Sequence, residues 1–440
     1  MTERIEITKL THGPNALGRC KDGKVVFIPH AAPGDVCDVI FTKETASYRE
    51  GIIKEVITPG PSRTKEACPF SGTCGGCNWM HITYEEQLRA KREDVLSQLI
   101  RVGKKDPEKA NEIVGECIGS KRQLGYRNKI ELACGFDERN RLQVGFHKHA
   151  SSEIITPQTC PLAVKEIQKA PQALKGALAY LQGTQDLGLI RIGVRGSLRT
   201  KDCEVALWTK PGAFPRAAAV KTIKSALPCT SIVRVMAQPG KERKIKGVES
   251  LYGKGCFEEL LCQTRYKASA PSFFQVNTAQ AETLVSLALE GLGITKESTV
   301  ADLYCGVGTF ALSMASCAKK VYAVESAASS VRDLKRNAEL NNLTNISIIG
   351  GDSARELAGL GSLDALIVDP PRAGLAKNVP SDIARSKAKR VAYVSCNPST
   401  WARDILRFEN EGYELIKATP VDLFPQTYHV ETVSILERKL

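Results

Sequence analysis

The chain has 440 residues, 42% of them hydrophobic and 25% charged, which suits two to four globular domains with sizeable cores. The opening MTERIEITKLTHG is charged within its first ten residues and has no apolar h-region, and no later stretch approaches 18 uncharged apolar residues; neither a signal peptide nor a membrane-spanning helix is expected, and a cytosolic protein is. Net charge is +13, and residues 67–265 hold 32 Lys and Arg against 20 Asp and Glu while the flanks nearly balance, a surplus that favours a polyanionic partner such as RNA.

Residues 1–58 read as short strands, RIEITKL, Lys24 to Ile28, Asp35 to Phe41 and Gly51 to Ile57, separated by Gly13-Pro14, Asp22-Gly23 and Pro33-Gly34. A small closed barrel of the kind that often binds nucleic acid fits this pattern. After the linker Pro59-Gly60-Pro61 come Cys68, Cys74 and Cys77 in CPFSGTCGGC, three thiols within ten residues whose glycines let the chain wrap an inorganic centre. In a long chain without a leader such thiols are expected reduced, ligating or catalytic. Cys160 is the favoured fourth ligand because a proline follows it as one follows Cys68; Cys134 and Cys117 are alternatives. Four thiolates hold zinc or an iron-sulfur cluster, and the single C-x-x-C pair favours [4Fe-4S].

Tyr84 to Val102 reads as one amphipathic helix, and about 111–265 as strand-rich and basic, completing a central unit over 67–265. Candidate RNA contacts there are Tyr126, Arg127, Asn128 and Lys129, with His147, Lys148 and His149; Phe273 and Phe274 are candidates for stacking a base, against the commoner fate of core packing.

From 266 to 440 apolar strands alternate with helices: Thr299 to Leu303, Lys320 to Val324, Ile346 to Ile349, Ala365 to Val368 and Arg390 to Val394. This is the pattern of a doubly wound parallel sheet, whose ligand lies beyond the strand carboxyl ends. VADLYCGVGTF supplies a glycine turn at Gly306 and Gly308, and Glu325, Asp352 and Asp369 follow the second, third and fourth strands. Ala311 replaces the last glycine of G-x-G-x-x-G, so S-adenosylmethionine is preferred to NAD.

Cys396 in VSCNPST follows the fifth strand, on the ligand side. A thiolate adding to carbon 6 of uracil concentrates charge on carbon 5, which then attacks a sulfonium methyl; the carbon 5 proton leaves to a base and the thiolate is eliminated. Glu431 in FPQTYHVET is the candidate base, with His429 able to orient it or to take the proton itself. Arg372 in DPPR is a candidate for holding the target base or positioning the thiol, or is a surface charge.

CPFSGTCGGC with Cys160, SFFQVN, DLYCGVGTF, DPPRAG, SCNPST and FPQTYHVET, in this order over nearly the whole chain, resemble the RNA uracil-5 methyltransferase family, most closely the branch acting on 23S ribosomal RNA. The resemblance implies a multi-domain α/β protein: an OB-like TRAM barrel, a central mixed α+β domain bearing a [4Fe-4S] cluster and binding RNA, and a Rossmann-like methyltransferase domain. It also implies that the helix around 84–112 packs on the catalytic domain. By it, Gln275, Tyr304, Thr309, Glu325, Asp352 and Asp369 correspond to cofactor-binding positions, Cys396 to the nucleophile, Glu431 to the general base, and Cys68, Cys74, Cys77 and Cys160 to cluster ligands. Two departures bear on the substrate: Asn78, Trp79 and Met80 stand before His81 where a glutamine-rich run is usual, and Thr309 stands where ribosomal members often have Asn.

Ribosomal RNA is the favoured substrate and transfer RNA the alternative, with a cytoplasmic monomer expected. Two rival readings remain. An exocyclic-amine methyltransferase needs no cysteine and would carry an aromatic at position 372, and a non-catalytic RNA-binding protein would have lost Cys396, Glu431 or Asp369.

Overall fold

The computed structural model of the protein describes residues 2–183, 186–240 and 244–439. The N-terminal unit is a closed barrel of β1 (Thr2–Leu10), β2 (Asn15–Arg19), β3 (Val25–Pro29), β4 (Val36–Glu44) and β5 (Tyr48–Thr58), ordered β1-β2-β3-β5-β4. Alternation turns Ile5, Ile7, Ala16, Val26, Ile28, Cys37 and Val39 inward. Strand β2, NALGR, was invisible in the sequence pattern because it is short and offers little apolar alternation. A Cβ at its Gly18 would lie 2.4 Å from Ile5 Cγ2, so glycine admits the close, bulged approach of β1.

The helix read over Tyr84 to Val102 is α1 (Tyr84–Arg101), and the span to 112 implied by the resemblance holds a second helix, α2 (Pro107–Ile113). Lys104 turns left-handed at φ 57°, and Asp106 caps α2 by accepting from the N–H groups of Glu108 and Lys109. Both helices bury Val95, Leu99, Ala110 and Val114 in one cluster with Trp401, Ile405, Phe408 and Leu415, far along the sequence.

The middle of the chain forms β6 (Lys129–Phe136), β7 (Leu142–His147), β8 (Ile154–Ile155), α3 (Ala170–Gln182), β9 (Leu189–Gly196), β10 (Cys203–Thr209), α4 (Arg216–Ala226), β11 (Ser231–Met236) and β12 (Gly247–Gly253). The sheet runs β12-β11-β10-β9-β6-β7-β8 and only the β10–β11 pair is parallel. Leu174, Leu178, Ala219 and Ile223 of α3 and α4 cover it through Leu132, Val144, Ile192 and Val205. The hairpin β13 (Phe257–Leu261) and β14 (Thr264–Ala268) packs Phe257, Leu261 and Tyr266 against Leu284 and Phe310, so the expected boundary at 265/266 cuts an element that shares the core of the last domain.

That domain contains α5 (Thr278–Leu292), β15 (Thr299–Leu303), α6 (Thr309–Ala315), β16 (Lys320–Glu325), α7 (Ala328–Leu340), β17 (Ile346–Gly350), α8 (Ser353–Glu356), β18 (Ala365–Val368), α9 (Val379–Arg385), β19 (Arg390–Ser395), α10 (Pro398–Asn410), β20 (Tyr413–Val421) and β21 (Glu431–Arg438). Its sheet is ordered β17-β16-β15-β18-β19-β21-β20. The first five strands are parallel, and β21 is antiparallel to both neighbours, so its beginning lies at the edge where the parallel strands end. No helix among the described residues is long and apolar enough to cross a membrane.

Candidate active site

The glycine turn after β15 uses its two glycines differently. Gly306, at φ 56°, has no atom within 4 Å of where a Cβ would stand, leaving room above the loop. Gly308, at φ 99°, would place a Cβ 2.0 Å from Leu312 Cδ1, so packing as well as backbone requires glycine. Glu325 at the end of β16 accepts from the N–H groups of Gly306 at 2.9 Å and Ala327 at 2.6 Å, which aims its carboxylate into the turn. Thr309 opens α6 and is buried, and Tyr304, at φ 66°, donates its N–H to Ser353 Oγ at 3.3 Å. Asp352 caps α8 through the N–H groups of Ala354 and Arg355. Asp369 follows β18; its residue keeps some open surface, but its carboxyl sits deep enough that burial pushes it up to about 7. Gln275 is buried outside the sheet, its carbonyl accepting from Asn128 Nδ2 at 2.9 Å.

Beneath this turn lies a residue sequence reasoning passed over. Asp302 in β15 is fully buried, and neither carboxylate oxygen has a partner among the described residues. Burial, with Asp369 and Glu325 adding, holds it well above the usual carboxylate range. Open space over Gly306, the aimed Glu325 and this orphaned carboxyl fit a small polar ligand carrying hydroxyl and amino groups.

At the other side of the site, β19 and β21 pair Ser395 with Thr432, so Cys396 just after β19 and Glu431 at the start of β21 are neighbours across 35 residues of sequence. Glu431 is 6% exposed; burial holds its carboxyl well above the usual range, Asp369 adds and Arg372 opposes. Burial pushes the Cys396 thiol up to about 11, with Glu431 and Asp369 adding and the Arg372 guanidinium opposing. Arg372 is positioned by its carbonyl, which accepts from Asn397 Nδ2 at 3.3 Å and Thr400 Oγ1 at 3.1 Å. Its Nη2 lies 3.2 Å from His429 Nδ1. The His429 ring contacts Arg372, Phe424 and Tyr428 rather than Glu431, and burial, then Arg372, lowers it to about 4, which leaves it neutral near pH 7. The orienting role considered for His429 thus shifts toward Arg372.

The segment that delivers Glu431 is clamped from the far end of the chain. Asp422 and Lys91, both 0% exposed, form an ion pair, and Tyr84 Oη donates to Asp422 at 2.8 Å. Lys91 also donates to the carbonyl of Phe424 at 3.2 Å. Gln87 and Gln426 exchange two hydrogen bonds, Gln87 Nε2 to Gln426 Oε1 at 3.1 Å and Gln426 N–H to Gln87 Oε1 at 2.9 Å. Tyr126 Oη donates to the carbonyl of Pro425 at 3.0 Å. None of Tyr84, Gln87, Lys91 or Asp422 was singled out from sequence, although spacings of three and four put the three helical residues on one face, a polar stripe where an apolar one is usual.

Cys68, Cys74, Cys77 and Cys160 line one cavity of about 370 Å³ together with Met80, Arg127 and Phe273. Burial raises the thiols of Cys74, Cys77 and Cys160, each further raised by its cysteine neighbours, while Arg127 opposes at Cys77 and Cys160. All four are free thiols, a donor set that fits a thiolate-bound cluster. Cys117 lies instead by Lys91 and Asp422, and Cys134 in β6; neither lines the cavity.

The proposed RNA contacts divide. Tyr126, Asn128 and Phe274 are buried, Asn128 bonding Gln275 and Thr278 and Phe274 packing on Tyr266, so these three act within the fold rather than on its surface. Lys129 is paired with Glu131 at 2.7 Å. Phe273 is 61% exposed at the mouth of the cysteine cavity. His147 and His149 flank Lys148 along the cysteine loop, the His147 carbonyl accepting from Gly75 N–H at 3.0 Å and His149 N–H donating to the Thr73 carbonyl at 2.9 Å.

Residues 258–439 match the family model of tRNA (uracil-5-)-methyltransferases, and residues 1–54 match the TRAM domain. An uncharacterized RNA methyltransferase of Listeria innocua is 34% identical, covering 99% of this chain and 97% of the relative. One of Caldanaerobacter subterraneus is 32% identical with the same coverage. The crystal structure of Pyrococcus abyssi tRNA (uracil-54, C5)-methyltransferase in complex with S-adenosyl-L-homocysteine aligns with a TM-score of 0.75 at 26% identity, over 99% of this chain and 100% of that one.

Proposed function

The chain belongs to the RNA uracil-5 methyltransferase family, and from that premise we propose that it methylates carbon 5 of a specific uridine in 23S ribosomal RNA through a covalent bond to Cys396. The observation that carries the mechanism is the β19–β21 register, which sets a thiol and a carboxyl side by side under one guanidinium. S-adenosylmethionine supplies an electrophilic sulfonium methyl group. Cys396, once ionised, adds to carbon 6, and the charge it brings passes to carbon 5. After carbon 5 is methylated, the Glu431 carboxylate takes the carbon 5 proton, and the re-forming double bond expels the thiolate. Glu431 and Asp369 each act electrostatically on Cys396 and Asp369 acts on Glu431, so their negative charges oppose one another, and Arg372 offsets part of that repulsion. A base inside a helix hides both carbons, so the uridine must be flipped or looped out, and the exposed Phe273 ring is the candidate for stacking an RNA base.

Glu325, Asp352, Tyr304, Thr309, Asp369 and Gln275 are assigned to the cofactor, and Cys68, Cys74, Cys77 and Cys160 to a structural [4Fe-4S] cluster whose thiolates Arg127 helps to neutralise. The choice of ribosomal RNA rests on the motif set that resembles that branch. Transfer RNA is the second reading, favoured by the Pyrococcus abyssi likeness.

Methyl transfer from labelled S-adenosylmethionine to RNA lacking its own uridine methylation tests all of this. Label in 5-methyluridine of ribosomal RNA, lost in Cys396→Ala, supports both mechanism and substrate. Label in transfer RNA alone moves the substrate, and label surviving in Cys396→Ala sinks the covalent mechanism.

A further inference from the structure

Away from the methyl-transfer site, where the barrel meets the cysteine loop, three side chains of metal-ligating type converge. His30 follows β3, Glu66 precedes Cys68, and His81 follows the last cysteine of the loop; each offers one ligand atom, all within 4.8 Å of one another. His30 Nε2 and Glu66 Oε1 are 2.8 Å apart, and the two imidazoles lie 4.2 Å apart between ring centres.

An ordinary hydrogen bond accounts for His30 and Glu66 but not for His81. That ring is 1% exposed and its Nε2 lies 3.2 Å from the carbonyl of Ala31. A carbonyl only accepts, so Nε2 carries the proton and Nδ1 presents a bare lone pair. Nδ1 is buried without a hydrogen-bond partner among the described residues. A buried acceptor left unpaired costs stability. An imidazole with one N–H tied to a backbone carbonyl and the other nitrogen free has the form a metal-bound histidine takes. His30 and Glu66 keep part of their surface open, which gives an ion a way in and leaves a position for water.

We propose that His30, Glu66 and His81 form a binding site for a divalent zinc ion, distinct from the four thiols. Two neutral imidazole nitrogens and one carboxylate oxygen suit zinc, with water as the fourth ligand. The ion joins β3's end to both flanks of the cysteine loop, clasping the barrel to the central domain. Arg63 stands nearby, but its charge is engaged by Asp35, at 2.6 Å from Nη2 to Oδ2.

The test uses the full-length protein, equilibrated with micromolar zinc and dialysed, with zinc and iron counted by plasma mass spectrometry and the zinc environment read by X-ray absorption. Wild type should hold one more zinc per chain than Glu66→Gln or His81→Ala, with iron content the same in all three. The zinc so lost should show nitrogen and oxygen neighbours at about 2.0–2.1 Å. Glu66 is at the rim, so its substitution keeps the test valid if His81→Ala fails to fold. Equal zinc in wild type and Glu66→Gln, or a difference whose neighbours are sulfur at about 2.3 Å, overturns the proposal.

Discussion

Replacing Lys91 by methionine keeps the length of the side chain and removes the charge facing Asp422. Both residues are 0% exposed, so Asp422 would stay buried with the Tyr84 hydroxyl and the Phe424 N–H as donors but no countercharge. Breaking a buried pair from one side costs about 3–5 kcal/mol, whereas an exposed pair costs about 0–1. Asp422→Asn alone should cost a similar amount, and the double substitution should recover most of it because no buried charge remains. Urea unfolding followed by tryptophan fluorescence, read as a double-mutant cycle, measures this directly. The same loop presents Glu431, and a misplacement of about 1 Å can cost about 10²-fold in rate, so kcat should fall steeply while the KM for S-adenosylmethionine holds. A single-mutant cost under about 1 kcal/mol, or full activity in Lys91→Met, would refute the claim that this pair sets the base in place.

Other substitutions probe the rest of the site. Arg372 lowers the pKa of both Cys396 and Glu431, so in Arg372→Gln the alkaline rise of kcat/KM should move to higher pH; a pH profile that stays put or moves to lower pH contradicts the assignment. Gly308→Ala meets Leu312 and Leu334 and forces a left-handed alanine, so thermal stability and cofactor affinity should drop together, by about 1–3 kcal/mol in stability, as seen by melting and calorimetry. Phe273→Ala should weaken RNA binding by about 1–3 kcal/mol, the worth of one stacked base, in filter binding, with cofactor affinity unaltered; unchanged RNA affinity would remove Phe273 from the interface.

The five parallel strands and the residues at their ends were legible because buried strands are continuous apolar runs and their ends carry polar residues in chain order. What stayed hidden depended on contacts distant in sequence. Nothing local in FPQTYHVET says that β21 inserts antiparallel between β19 and β20, which is what carries Glu431 to Cys396. Lys91 on an amphipathic helix reads as solvated until Asp422, 331 residues away, is seen opposite it. Tyr126 and Asn128, in a basic segment, read as RNA contacts, yet their polar groups are consumed by Pro425, Gln275 and Thr278. The helix over Tyr84 to Val102 was legible from its periodicity, and Gly103 and Pro107 mark where it stops, whereas the span to 112 came from the resemblance and holds a second helix.

The seating of α1 and α2 on the last domain also limits modularity. A fragment from the β13 hairpin onward would carry every strand of the methyltransferase sheet yet expose the apolar trough that Val95, Leu99, Ala110 and Val114 fill, and its Asp422 would lose Lys91. Such a piece is expected to be sticky and slack at its base-bearing loop. The catalytic fold therefore cannot be exchanged as an independent cassette: whatever inherits its chemistry must inherit α1 and α2 as well.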